Sequence, residues 1–417
     1  MAGSDVPLER VDVAVVGGGP AGLAAAAALC STGAGSVIVL ERESEPGGIP
    51  RHARHHGFGL RDLHRPLTGP RYGARLAELA VQAGAEIRTR TQVTGWSDDG
   101  ALELTSPRGR SRLEARATVL ATGCRERPRA ARLVPGSRPP GVITTGALQQ
   151  LVYLLHECAG RRAVIVGTEH VSFSALLTLH HGGARAAAMV TEHPRHQTLA
   201  AFRAGAAIRY RVPLITRTRL TRILGDRRVE EVEFTHLVTG DVRRVACDLV
   251  VFTADWIPDH ELAVLGGAAL DPGTRGPAVD PGLHTTRPGL FAAGNLLHGA
   301  ETADTAALSG RRAAESVIRY LGGAAWPAAR VPIECEAPLH WIAPNAVVDA
   351  SSGGEPPFRL RAHEILGSRQ VEVVQDGRPL WRGRVRRLMP GRSSRLPSSW
   401  TGSVHVREGA PVVVRVA

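Results

Sequence analysis

At 417 residues the chain is too long for one ordinary hydrophobic core, so two or three domains are expected. Hydrophobic residues make up 43% and charged residues 22%, with 47 glycines and 28 prolines, which excludes a disordered or fibrous chain and describes a globular one rich in turns. The formal charge is +12 and all 51 basic side chains are arginine, yet aromatics at 4% offer no stacking platform, so the excess reads as a coding preference rather than nucleic-acid binding.

The apolar stretch Val11 to Cys30 is preceded by Asp5 and Glu9 and broken by Gly17-Gly18-Gly19-Pro20, unlike a secretory signal. No run approaches the ~20 apolar residues of a membrane span, so no membrane span is expected and a cytoplasmic location is. Cys30, Cys124, Cys158, Cys247 and Cys335 lie far apart, without a C-x-x-C pair or metal-ligand spacing, so no metal site is expected. The basic charge gathers at one end: from Pro357 to Ala417 twelve arginines face Glu364, Glu372, Asp376 and Glu408, a surface suited to an acidic partner.

In chain order, Val11 to Val16 reads as a buried strand, followed by a glycine-rich turn, an alanine-rich helix ending near Gly33 and a second strand from Ser36 to Glu41. That order is a parallel βαβ unit. A helix from Tyr72 to Ala83 follows, then strands over Glu86 to Trp96, Ala101 to Thr105 and Arg112 to Ala121. The pattern repeats with a helix at Ala147 to Ala159, a strand at Ala163 to Val166, a turn beginning at Gly167, a helix to about His181 and a strand at Ala186 to Glu192. Strands near Glu230 to Thr235 and Leu249 to Thr253 close this second unit. Gly289 to Asn295 then returns to a strand and turn before a helix from Ala306 to Tyr320. Pro327, Pro332 and Pro338 read as a linker, after which short alternating runs, the hairpin signal Asp376-Gly377, and Trp341, Trp381 and Trp400 as core anchors describe a small β domain. The expected fold is α/β: two Rossmann-like three-layer domains, the second inserted in the first, plus a small C-terminal β domain. The boundaries are 1–145 and 257–325 for the first domain, 146–256 for the second and 326–417 for the last.

The strongest motif is Gly17-Gly18-Gly19-Pro20-Ala21-Gly22. Gly17 makes the tight turn, Gly19 lets the backbone approach a diphosphate, Gly22 lets helix pack on strand, and the helix N-terminus offers free N–H groups and a positive dipole. Nineteen residues beyond Gly22, Glu41 stands where it can accept ribose hydroxyls and repel a 2′-phosphate. A dinucleotide follows, without saying which one. In the second unit, Gly167-Thr168-Glu169-His170-Val171-Ser172, only the first glycine survives. A carboxylate at Glu169 would meet the diphosphate with crowding and like charge. A degenerate, structural second unit is therefore expected, with a working NAD(P)H site as the alternative.

Glu41-Arg42-Glu43 leading to Gly47-Gly48, Ala121-Thr122-Gly123, and Gly289-Leu290-Phe291-Ala292-Ala293-Gly294-Asn295 together resemble the glutathione-reductase-like (pyridine nucleotide-disulfide oxidoreductase) flavoproteins. With Gly47-Gly48-Ile49 to His55, Gly57-Phe58-Gly59, Leu67-Thr68-Gly69-Pro70, Cys124-Arg125-Glu126-Arg127 and Leu296-Leu297-His298, residues 10 to 325 resemble more narrowly the flavin alpha subunits of opine, proline and sarcosine dehydrogenases and flavoproteins accompanying glycerol-3-phosphate dehydrogenases.

The resemblance implies FAD as cofactor, contacted by Gly17, Gly18, Gly19, Pro20, Ala21, Gly22, Glu41, Arg42, Gly48, Ile49, Val93, Ala121, Thr122, Gly123, Gly294 and Asn295, the last replacing a usual Asp. It implies that Gly299 to Asp304 leads into a helix aimed at the flavin. It places His55, among Arg51, His52, Arg54 and His56, as a proton donor or anion clamp, with a solvated basic loop as the alternative. Cys124 is the other catalytic candidate: Arg125 and Arg127 would lower its thiol pKa, although a buried structural cysteine is the commoner outcome. With no second cysteine beside it, disulfide-reductase chemistry is disfavoured, and no cysteine-rich segment follows Tyr320 to hold an iron–sulfur cluster.

The leading expectation is an FAD-dependent oxidoreductase serving as flavin subunit or partner in an amine, amino-acid or hydroxy-acid dehydrogenase system. The alternatives are an NAD(P)H-dependent flavin reductase and a flavin-containing docking subunit. A small-molecule substrate or a redox partner protein is expected, and the oligomeric state stays open.

Overall fold

The computed structural model describes residues 6–198, 204–205, 208–349 and 356–417. Its first sheet is built on the strand Leu8–Val16, which runs parallel to Val37–Leu40 on one side and Gly109–Leu120 on the other. Glu86–Arg88 extends it beyond Val37–Leu40, and Leu290–Ala292, arriving from far along the chain, pairs parallel with Gly109–Leu120. Leu102–Ser106 and Gln92–Trp96 add an antiparallel end. Val13, Ala14 and Val15 are completely buried, as a parallel strand covered on both faces requires. The helices Pro20–Ser31 and Ala303–Leu321 lie so close that a Cβ on Gly310 would collide with the carbonyl of Ala21.

A second, all-parallel sheet has the order Val142–Thr144, Leu249–Phe252, Arg162–Val166, Arg185–Val190, Leu214–Ile215. The helices Thr145–Tyr153 and His170–His181 belong to it, and Thr218–Leu224, Glu231–His236 and Val242–Ala246 form an antiparallel meander beside it. Cys124–Glu126 pairs with Trp256–Pro258 and His56–Phe58 with Leu67–Thr68, and the strands from Arg330 onward make a five-stranded and a three-stranded sheet around Val331, Ile333, Phe358, Leu360, Val371, Val373, Trp400, Val412 and Val414. Asp376 and Gly377, with φ of 50° and 75°, make the two-residue turn that joins Gly367–Gln375 to Arg378–Leu388.

Several expectations need correction. The span Glu86 to Trp96 is two strands rather than one: the backbone turns at Arg90, φ 52°, where the amides of Arg90 and Thr91 donate to the carbonyls of Glu43 and Glu41. The helix expected to reach Ala159 stops at Tyr153. The proline segment is not merely a linker, since Arg330–Cys335, Leu339–Ala343 and Ala346–Val348 are strands. Pro332 is tolerated because it sits where its strand passes from pairing with Ala346–Val348 to pairing with Val412–Val416. Trp400 is a core anchor and Trp381 packs half-buried against that core, but Trp341 faces the other way, onto His298.

Candidate active site

At the first glycine turn, Gly17 has φ 108° and donates to the Leu40 carbonyl. A Cβ there would strike the Ala121 carbonyl, and one on Gly22 would strike the carbonyl of Gly17. Gly19 is different: a Cβ there would meet only the Gly48 Cα, at 4.0 Å, so the space before the helix is open. Pro20 occupies the first helical turn, no side chain caps the helix, and its opening amides are free to bind an anion. Glu41, 6% exposed, accepts from the Gly18 amide at 2.8 Å through Oε2 and from the Glu43 amide at 2.8 Å through Oε1. Each oxygen keeps a lone pair for a hydroxyl. An open turn, uncapped amides and a buried acid beyond them fit the diphosphate and ribose of a dinucleotide.

The other candidates gather around this turn. The Gly47 amide donates to the Gly18 carbonyl, and Gly48 packs on Gly19, leaving Ile49 exposed. Arg42 is exposed beside Glu43, and Val93 lies in the core of the first sheet. Ala121 donates its amide to Val16, the Thr122 hydroxyl donates to the Asp259 carbonyl at 2.8 Å, and a Cβ on Gly123 would meet nothing within 4 Å. Gly294, φ 74°, rests on Ala21. The Asn295 amide braces its own loop: Oδ1 accepts from the Glu301 amide at 3.0 Å and Nδ2 donates to the Glu301 carbonyl at 3.3 Å. Helix Ala303–Leu321 is capped by the Thr302 hydroxyl. Its Asp304 accepts the amides of Gly59 and Arg61 at 2.7 and 2.9 Å, tying down the Gly57 loop.

The basic loop after Gly48 disperses instead of converging. His52 is buried with Nδ1 3.3 Å from Gln149 Oε1, and burial holds its pKa down; Arg54 donates to the Tyr153 carbonyl. His55 is turned onto Phe58, with Nδ1 2.9 Å from the His56 carbonyl. Cys124 departs from the lowered pKa expected of it. Burial pushes its thiol up, Asp259 and Glu126 push the same way, and the flanking arginines are engaged elsewhere: Arg125 with Asp259 and Glu261, Arg127 with Asp255.

The second glycine turn is filled from within. The Glu169 carboxylate folds back over its own turn, Oε2 accepting from the Thr168 amide at 2.9 Å and Oε1 from the Ser172 hydroxyl at 2.7 Å. Ser172 meets the Thr253 hydroxyl at 2.7 Å, and Thr168, Glu169, Ser172 and Thr253 are all buried. Glu126, whose Oε2 accepts the Gly146 amide at 2.7 Å, lies in the same polar cluster, and burial raises its pKa to about 7.

Sequence reasoning missed a layer contributed by the C-terminal strands. The Trp341 indole stacks on the His298 imidazole, 5.1 Å between centroids at 7°, and the Arg361 guanidinium lies over the Trp341 ring at 4.7 Å. Burial lowers the His298 pKa to about 4. The alternation in Phe358-Arg359-Leu360-Arg361 was the one signal that could have found these arginines, since it puts both on the face away from the C-terminal core. Among the described residues no cluster of His, Cys, Asp and Glu could hold a metal ion, and no helix is long and apolar enough to cross a membrane.

Comparison with known proteins follows the same lines. The alpha subunit of sarcosine oxidase from Rhizobium meliloti (strain 1021) is 27% identical over 80% of this chain, which spans 33% of that protein. An opine oxidase subunit of Agrobacterium tumefaciens (strain Ach5) is 27% identical over 74% of the chain, spanning 66% of that protein. The chain thus covers from a third to about two thirds of the length of these relatives. Thioredoxin reductase of T. acidophilum shares the fold, with a TM-score of 0.61 and 22% identity over 74% of this chain and 97% of its own. Residues 11–310 match the pyridine nucleotide-disulphide oxidoreductase family, and with that match covering most of the length the chain belongs to this family of FAD-dependent oxidoreductases.

Proposed function

We propose that this chain is the flavin-bearing component of an amine, amino-acid or hydroxy-acid dehydrogenase system and that its electrons come from a substrate or partner protein rather than from NAD(P)H. The observation that carries this reading is the contrast between the two glycine turns. The first is open before Gly19, whereas the second holds the Glu169 carboxylate on the Thr168 amide and Ser172 hydroxyl, where a diphosphate would sit. The names of the sarcosine and opine oxidase relatives support the substrate class.

In this reading the first turn, Gly17 to Gly22, holds the FAD diphosphate on backbone amides, Glu41 and Arg42 hold the adenosine ribose, Val93 backs the adenosine end, and Gly48, Ile49, Ala121, Thr122, Gly123, Gly294 and Asn295 line the rest. When bound, the flavin supplies the two-electron chemistry. The chain's own contribution is to bind and orient: Asn295 and the Thr302 cap fix the loop entering helix Ala303–Leu321, and Asp304 pins the Gly57 loop beside it. His55 remains a candidate proton donor at the exposed edge, and Cys124 contributes packing rather than a thiolate. The division at 1–145, 146–256, 257–325 and 326–417, a cytoplasmic location and association with an acidic partner through the arginine-rich end belong to the same proposal.

Anaerobic stopped-flow reduction tests it. NADH and NADPH are expected to leave the flavin oxidised on the millisecond to second scale, while an amine, amino-acid or hydroxy-acid donor, alone or with co-purifying subunits, bleaches it. Fast, saturable reduction by either nicotinamide would overturn the assignment.

A further inference from the structure

The strand Phe358–Ala362 presents two unlike faces. Phe358, Leu360 and Ala362 are completely buried in the C-terminal core, whereas Arg359 and Arg361 point to the Gly294–Thr305 segment of the first unit. Arg361 donates to the Ala300 carbonyl at 3.1 Å and to Glu301 Oε1 at 3.0 Å, and its Nε is buried without a partner. Arg359 lies 3.8 Å from Glu301 Oε2 and reaches the Thr305 hydroxyl at 3.5 Å.

Arg395 stands directly opposite Arg359 across the antiparallel pair with Ser394–Leu396, and Arg61, on the loop pinned by Asp304, also repels Arg359. Among the described residues Glu301 is the only acid in ion-pair contact with this group, and it reaches Arg359 and Arg361 alone. Like charges opposed on a sheet are destabilising, and partly buried guanidinium groups are costly without a matching anion. Burial and mutual repulsion accordingly hold Arg359 below the ordinary arginine pKa. The cluster is graded from the surface inward: Arg395 is exposed, the Arg359 side chain is 22% exposed and that of Arg361 10%.

We propose that Arg359, Arg361, Arg395 and Arg61 form a binding site for a small organic carboxylate, with the C-terminal strands supplying cations over the segment that follows the Gly294-Asn295 turn. Planar guanidinium forks match carboxylate geometry, and guanidinium groups held at 10% and 22% exposure behind an exposed one suit a small molecule better than the side of a protein. The site deepens the dehydrogenase reading by naming its substrate class, and it rests on that reading for its purpose but not for its existence.

Calorimetric titration of the FAD-loaded full chain with succinate, at low ionic strength, tests it. One-site binding is expected, weakened at least tenfold in Arg395→Gln and in Arg359→Gln and unchanged in Arg378→Gln, a control at an exposed hairpin arginine. Arg395 is exposed, so its substitution leaves folding intact, as the flavin spectrum and melting temperature verify. Absence of binding, equal affinity in all four proteins, or binding of a polyglutamate peptide without succinate overturns the site. Flavin reduction by donors is measured separately: succinate binding that responds to the variants while no donor bleaches the flavin keeps the site and removes the dehydrogenase reading, and bleaching without succinate binding does the reverse.

Discussion

The Glu41 carboxylate accepts the Gly18 amide at 2.8 Å, and a Cβ on Gly18 would come within 2.9 Å of the same oxygen. Acid and turn therefore hold each other in register. A hydrogen bond to a buried charged acceptor contributes about 1.5 to 3 kcal/mol, so Glu41→Ala is expected to weaken FAD binding by roughly tenfold to a hundredfold. Fluorescence quenching on FAD titration of the apoprotein measures this, and an unchanged dissociation constant would remove Glu41 from the binding site.

Gly310 touches Ala21 where helices Ala303–Leu321 and Pro20–Ser31 cross. In a free helix, alanine in place of glycine gains about 1 kcal/mol. Here the added methyl would drive into the Ala21 carbonyl, and such overpacking costs about 1 to 3 kcal/mol. The clash outweighs the propensity, so Gly310→Ala is expected to lower the urea midpoint of unfolding, whereas a raised midpoint would show that the helices part easily.

The parts of this molecule legible in its sequence are those whose cause is local. Gly17, Gly19, Gly22 and Glu41 announce their geometry because turn, helix start and acid lie within one βαβ unit, and the loss of glycine at Glu169 and Ser172 was visible for the same reason. The Asp376-Gly377 hairpin was legible because two residues decide it. Pro332 misled because its tolerance depends on a change of strand partners that only the folded register shows. The placement of Trp341, Arg359 and Arg361 was opaque for a related reason. Alternation says which residues share a face, but not that the face meets His298 and Glu301, which lie far upstream in the chain. At Cys124 the two readings open in the sequence part on geometry: Arg125 and Arg127 pair with other acids, and burial raises the thiol as in a structural cysteine.

Cys124 and Cys158 are expected to differ in reactivity. Alkylation requires thiolate and access. Burial pushes the Cys124 thiol up, while Cys158 is exposed. Iodoacetamide at pH 8 should label Cys158 first and leave Cys124 untouched in the folded protein, and Cys124→Ser should keep the rate of flavin reduction within about twofold, well under the tenfold that each 1.4 kcal/mol of barrier represents. Peptide mass mapping after timed labelling checks the first expectation, and rapid modification of Cys124 would return it to the list of nucleophiles.

Glu126 and His298 give stability opposite slopes with pH. Burial lowers His298 to about 4, so its contribution is full above its ordinary value and is lost as the pH falls through 4. Burial raises Glu126 to about 7, so its contribution is full below the ordinary carboxylate range and is lost as the pH rises through 7. By pH 8 Glu126 is ionised inside a buried cluster that also contains Glu169, at a cost of roughly 3 kcal/mol relative to a neutral side chain. Glu126→Gln keeps an acceptor for the Gly146 amide and carries no charge. The variant should therefore melt at a higher temperature than the parent at pH 8 and show no such advantage at pH 5. A melting difference that stays flat between those two values would mean that the Glu126 carboxyl is solvated in the folded chain.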